Sequence, residues 1–114
     1  MDAAQVFKAL SDKTRLRIVS LLARYDGLCV SHLVEALGLP QWRVSRHLQR
    51  LRRLGLVRSR TRGTWRHYCL SEGLHKVVRG VLAAVGERLD AQALRQDVQR
   101  LRAILGRRRE TQPS

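Results

Sequence analysis

Apolar residues fall at three- and four-residue steps over most of this chain, and at alternate positions in one stretch. The clearest stripe is Val44, Leu48, Leu51 and Leu54, the spacing of one helix face. Around it stand Gln41, Trp42, Arg43, Ser45, Arg46, Gln49, Arg50 and Arg53. Pro40 suits the start of a helix, where its missing N–H costs little, and Gly55 suits the sharp turn that ends one. The pattern predicts a helix over about 40–54. Upstream, Ala3, Val6, Phe7 and Leu10 predict a short amphipathic helix over 2–10, capped by Asp2. Ser11-Asp12 breaks it and offers a new cap. Leu16, Ile18, Val19, Leu21 and Leu22 make residues 14–23 apolar on most sides, so that helix is expected at the centre of the core.

After the Tyr25-Asp26-Gly27 turn, Leu28–Val30 reads as a short strand. Ser31 is expected to cap a helix through Leu37, with Leu33, Val34 and Leu37 inward and Glu35 in its first turn. Gly38-Leu39-Pro40 then turns tightly into the basic helix. Helix, short Gly-containing turn, second helix is the helix-turn-helix pattern. Beyond Gly55, Leu56-Val57-Arg58-Ser59-Arg60 alternates as a strand does, Thr61-Arg62-Gly63-Thr64 is a turn, and Trp65–Leu70 is a second strand. This hairpin, about 56–70, is a wing. Leu74, Val77, Val78, Val81, Leu82, Val85 and Leu89 form a further helical stripe. Leu94, Val98, Leu101, Ile104 and Leu105 form the last. A domain this small has difficulty burying both alone, so they are expected to pair between two copies.

The fold class is therefore mostly α with a small β-hairpin. It is a winged helix-turn-helix in the order α-α-β-α-α-β-β-α-α, dimerising through terminal helices at 2–10 and 74–105. Residues 1–106 read as a single domain and 107–114 as a disordered basic and polar tail.

Charge changes the picture most. The 114 residues hold 23 Lys and Arg against 9 Asp and Glu, a net charge of +14. That excess repels itself unless a polyanion answers it. Double-stranded DNA is the expected partner, with a second copy of the chain. A membrane is not, since no apolar run approaches a span. Met1-Asp2-Ala3-Ala4 lacks the features of a signal peptide, which places the protein in the cytoplasm. Two cysteines cannot make a disulfide scaffold. No nucleophile–base–acid set and no phosphate-cradling glycine loop points to an enzyme.

Five arginines and no acid lie between Arg43 and Arg53. Arg pairs with guanine edges and Gln with adenine, so Gln41, Trp42, Arg43, Ser45, Arg46 and Gln49 are the candidates for groove contacts. Arg50, Arg60, Arg62 and Arg66 are the candidates for phosphate or minor-groove contacts. His47 reads as a packing or phosphate contact, Trp65 and Tyr68 as wing-to-core packing, and Asp90 and Asp97 as solvated acids. A DNA-architectural protein without an inducer is the alternative reading. An aromatic content of 4% argues against single-stranded RNA recognition by stacking.

The chain resembles the arsenic-repressor (ArsR/SmtB) family of bacterial winged-helix regulators, nearly continuously from Val6 to Leu70. The resembling runs are Phe7–Ile18, Leu28-Cys29-Val30-Ser31-His32-Leu33, Val44-Ser45-Arg46-His47-Leu48, Leu54-Gly55-Leu56-Val57 and Arg62-Gly63-Thr64-Trp65-Arg66-His67-Tyr68. The resemblance implies homodimers on an inverted-repeat operator, with repression relieved by an inducer, often a metal or metalloid. Arsenic-responsive members carry Cys-Val-Cys where this chain has Cys29-Val30-Ser31, and usually an acid where it has His32. A hydroxyl is a poor ligand for a thiophilic metalloid. Zinc-type members place an Asp-x-His pair and a later His and Glu on the late helix, whereas residues 74–105 hold a single histidine, His75, and nothing resembling that set.

A substitute for the missing thiol lies 40 positions on. If Leu28–Val30 pairs with Tyr68–Leu70, alternation turns Cys29, His67 and Cys69 outward, with the cysteines opposed. The candidate metal or redox set is then Cys29, Cys69, His67 and His32. Arsenite, another thiophilic metal ion or thiol oxidation is the corresponding inducer.

Overall fold

The computed structural model describes residues 2–88 and 91–111. In chain order the elements are α1 (Ala3–Leu10), α2 (Lys13–Arg24), α3 (Val30–Leu37), α4 (Gln41–Arg53), β1 (Val57–Arg62), β2 (Trp65–Leu70), α5 (Leu74–Arg88) and α6 (Gln92–Thr111). No helix among the described residues is long and apolar enough to cross a membrane.

Local chemistry accounts for the helix starts. Asp2 accepts the Gln5 N–H at 2.9 Å, and the Gln5 side chain accepts the Asp2 N–H at 2.9 Å, a reciprocal box that opens α1. Asp12 accepts the Arg15 N–H at 3.0 Å and opens α2. Ile18, Val19, Leu21, Leu22 and Ala23 of α2 are fully buried, so this helix is the centre of the core, as its apolar composition requires. Gly38 turns the chain between α3 and α4 at φ +65°, a conformation that disfavours other residues. Val44, Leu48 and Leu51 lock α4 onto that core.

The hairpin runs in register from Val57↔Leu70 to Arg62↔Trp65. The expected four-residue turn shrinks to Gly63-Thr64. Gly63 at φ +61° supplies the positive φ that a two-residue loop needs at its first position.

Several expectations are corrected. The strand at Leu28–Val30 is a single bridge, in which Leu28 and Tyr68 exchange backbone hydrogen bonds of 2.9 and 2.8 Å. It stops there because α3 begins at Val30. Cys29, not Ser31, is therefore the cap of α3, and Glu35 falls beyond its first turn. Trp65 does not pack on the core: it is 50% exposed, because the hairpin tip projects past the body, whereas Tyr68 at the base is buried. Arg107 and the residues to Thr111 continue α6 rather than fray. Leu89, Asp90 and residues 112–114 lie outside the described residues.

The largest correction concerns α6. Its stripe of Val98, Leu101 and Ile104 is buried within its own protomer, on α3 and α2. Asp97 is not solvated but wholly buried. Its Oδ2 accepts from Arg17 Nε and its Oδ1 from Arg17 Nη2, both at 2.8 Å, and Arg100 Nη2 adds a bond of 2.6 Å. The same two arginines donate to the last carbonyls of α3, Arg17 to Leu37 O at 2.8 Å and Arg100 to Ala36 O at 2.7 Å. Asp97 thereby raises the Arg17 pKa, chiefly through its side-chain hydrogen bonds. The unburied apolar side chains are elsewhere: Phe7 of α1 is 59% exposed and Val77 of α5 49%.

Candidate nucleic-acid interface

The α4 face opposite Val44, Leu48 and Leu51 is open. Gln41, Trp42, Arg43, Arg46, Gln49, Arg50 and Arg53 are exposed and Ser45 is half-buried. Arg15, Trp42, Arg43, Arg46, His47, Gln49, Arg50 and Arg53 line one concavity of about 670 Å³. None of these lining residues is acidic. Arg43 Nη2 reaches Thr14 Oγ1 at 3.5 Å, so the first turn of α2 borders the same surface.

Arg15 is a cation that the periodicity argument passed over. Its Nε donates to Ala9 O at 2.8 Å, which holds the side chain across the α1–α2 junction and toward α4. The signal was its place in the first turn of a capped helix beside the helix-turn-helix. Lys8 lies with Arg15 and Arg50 along an adjoining groove of about 290 Å³.

His47 sits at the edge of this surface. Burial lowers its pKa below the ordinary 6.5. Asp12, 3.9 Å away, opposes that shift, and Arg15, Arg43 and Arg46 reinforce it. An unfolded chain then binds the proton more readily, so the stability this neutral histidine contributes is full above pH 6.5 and is lost as pH falls below it. A phosphate nearby acts in the other direction, because it favours imidazolium. DNA binding is therefore expected to take up a proton: affinity at constant ionic strength rises as pH falls from about 7 to about 6, and His47→Gln removes the slope. An unchanged slope in that variant would place His47 away from the phosphates.

The hairpin adds a second basic edge. Its register puts Arg60 and Arg62 on one face with Trp65 and His67, and Arg66 on the other. All three arginines are exposed. Arg60 meets Asp26 at 3.3 Å, but both side chains are more than half exposed, so that pair holds the arginine only weakly.

The candidate thiol site is rearranged. The Leu28↔Tyr68 bridge sets Cys29 opposite His67, and Cys29 Sγ lies 4.0 Å from His67 Nε2. Cys69, on β2, pairs with Arg58 on β1, so relative to Cys29 it is a diagonal neighbour. Sheet geometry separates diagonal neighbours by about 7–8 Å, whereas a disulfide needs Cβ atoms about 3.5–4.5 Å apart. Both cysteines are thiols and both are buried rather than outward-facing, because β2 packs against α2 and α3. His32 is buried too, and its Nδ1 accepts the Cys29 backbone N–H at 3.2 Å, the part a Glu or Gln plays in a capping box. No group of three His, Cys, Asp or Glu side chains among the described residues is placed to hold a metal ion. Cys29 and His67 together offer two donors, fewer than the three or so that a protein metal site ordinarily supplies, so these residues do not fit a preformed metal or metalloid centre.

A supported helix that presents cations and amides and no acid, beside a basic hairpin, defines a winged-helix DNA-binding protein. Residues 12–59 match the bacterial regulatory protein, arsR family. An arsenic resistance transcriptional regulator of Pseudomonas putida is 42% identical over 94 residues, covering 79% of this chain and 73% of the relative. The arsenical resistance operon repressor of Escherichia coli is 51% identical over 67 residues, covering 59% of this chain and 57% of the relative. Among solved structures, a homodimeric winged helix-turn-helix DNA-binding domain from Mycobacterium bovis superposes with a TM-score of 0.66 at 33% identity, covering 74% of this chain and 78% of that one. The chain belongs to the arsR family of bacterial regulatory proteins, and it is a transcription regulator rather than an enzyme.

Proposed function

We propose that two copies of this chain bind an inverted-repeat operator in the cytoplasm and repress transcription from it. The observation that carries this reading is the acid-free surface of α4, continuous with Arg15 and flanked by the basic hairpin. Gln41, Trp42, Arg43, Ser45, Arg46 and Gln49 are assigned to the major groove, and Arg50, Arg60, Arg62 and Arg66 to phosphates or the minor groove. Support for a dimer comes from exposed Phe7 and Val77, and from the homodimeric relative. Residues 1–106 are read as one domain. Fluorescence anisotropy on the DNA upstream of the gene tests the proposal. Two protomers should bind per operator, far more tightly than on random duplex of equal length. Equal affinity for both would leave an architectural DNA-binding protein instead.

The relatives named for arsenic support a thiophilic inducer for this chain as well. Here its point of attack is Cys29, the thiol whose Sγ lies 4.0 Å from His67 Nε2. Because no preformed centre is present among the described residues, titrating arsenite into the fully reduced protein–DNA complex is expected to release the DNA only well above one equivalent per protomer, at a concentration set by a weak site. Cys29→Ser should abolish release and Cys69→Ser should preserve it. Release that survives Cys29→Ser, or no release from the unmodified protein, would remove Cys29 from the sensing step.

A further inference from the structure

A cleft of about 550 Å³ opens where the C-terminal end of α2 meets α5 and α6. Its floor is apolar, from Ala23, Leu82, Ala83 and Val98. Arg24, Arg79 and Arg102 line the cleft as well, with Tyr25. No lining residue is acidic. Arg79 is fixed in place, since its Nε donates to Ala23 O at 2.8 Å, the carbonyl near the end of α2. We propose that this cleft binds a small organic anion, a carboxylate on an apolar body such as a medium-chain or aromatic acid.

Size, charge and position support this. The volume lies within the usual range for small-molecule sites, about 300–1,000 Å³. Guanidinium forks grip carboxylates in two-point fashion, and the apolar floor gives the rest of the molecule a surface to cover. An inorganic anion would leave that floor in water. The cleft is separate from the DNA surface: Thr14 borders the reader at one end of α2 and Ala23 borders the cleft at the other, about 13 Å along the helix. It is also separate from the exposed apolar stripe of α5. Arg79, Leu82 and Ala83 stand about 120–160° from Val77 around that helix, so contacts made through Val77 leave the cleft open. The inference does not rest on the repressor reading.

The test uses the full chain and 8-anilinonaphthalene-1-sulfonate, an organic anion that fluoresces on entering an apolar site. One saturable site per protomer is expected, displaced by octanoate and not by inorganic phosphate at the same concentration. Arg102→Glu reverses a rim charge, and Ala83→Trp fills the cleft without changing charge. Both positions are exposed, so both variants should fold. Each is expected to weaken binding about tenfold or more. Arg58→Glu, the same charge reversal on the hairpin, should leave it unchanged. Equal weakening by Arg58→Glu and Arg102→Glu would mean general charge attraction and would overturn the assignment. So would absence of saturable binding, full binding by Ala83→Trp, or displacement by phosphate as effective as by octanoate.

Discussion

Asp97→Ala is expected to destabilise the protein by about 3–5 kcal/mol, the usual cost of removing one partner from a buried charge cluster. The carboxylate is wholly buried and takes three charge-assisted hydrogen bonds, and without it Arg17, whose side chain is only 15% exposed, keeps its charge unanswered. Arg100, at 47% exposure, contributes less, since water screens it. Urea denaturation should show the loss directly, and the melting temperature should fall by more than about 10 °C. A control separates the charge from the packing. Replacing Arg17 and Asp97 together by leucines should cost clearly less than Asp97→Ala alone, because no uncompensated charge remains. It should not be free, because Leu37 O loses its donor. A loss below about 1 kcal/mol for Asp97→Ala would mean that the cluster does not hold α6 in place.

Arg46→Ala is expected to cost about 1–3 kcal/mol on the operator and much less on random duplex, the behaviour of a side chain that reads a base edge. Arg43→Ala should behave similarly, with a smaller loss in proportion to its contact with Thr14. Arg62→Ala should weaken operator and random DNA alike and reduce the salt dependence by about one counterion, the mark of a phosphate contact. Both sets are measured by anisotropy over a salt series. If Arg46→Ala weakens both duplexes equally, Arg46 is a phosphate contact and the specificity lies in Gln41, Gln49 or Ser45. The exposed Trp65 lies across from Arg62 in the hairpin register and reaches the same DNA, if the wing does.

What the sequence disclosed follows from the range of the forces involved. Helix α4 was legible because its stripe, its proline start and its glycine stop are all local, and α2 because a helix apolar on most sides has only one place to go. The hairpin was legible from alternation, but alternation fixes faces and not offsets. The bridge to Leu28 therefore fell two residues from the expected pairing, and Cys29 met His67 rather than Cys69. Asp97 was misread for a related reason. Periodicity assigns an acid outward by default, and the two arginines that bring it inward lie on α2 and on the next turn of α6. Trp65 failed in the opposite sense, since a large aromatic in a strand reads as core unless one knows that the hairpin tip overhangs.

The clasp at Asp97 also orders events in time. Arg17 and Asp97 are 80 positions apart, and Arg100 and Ala36 are 64 apart. Closing loops of that length costs entropy that no neighbouring contact repays, so these bonds belong among the last to form. Helices α3 and α4 can pair locally much sooner, and Arg17 of α2 can already reach Leu37 O, but the Ala36 carbonyl at the end of α3 gains its Arg100 donor only when α6 arrives. A growing or partly unfolded chain thus holds its cations without the posture to read a sequence with them. Removing α6 is therefore expected to keep most of the positive charge while narrowing the difference in affinity between operator and random duplex.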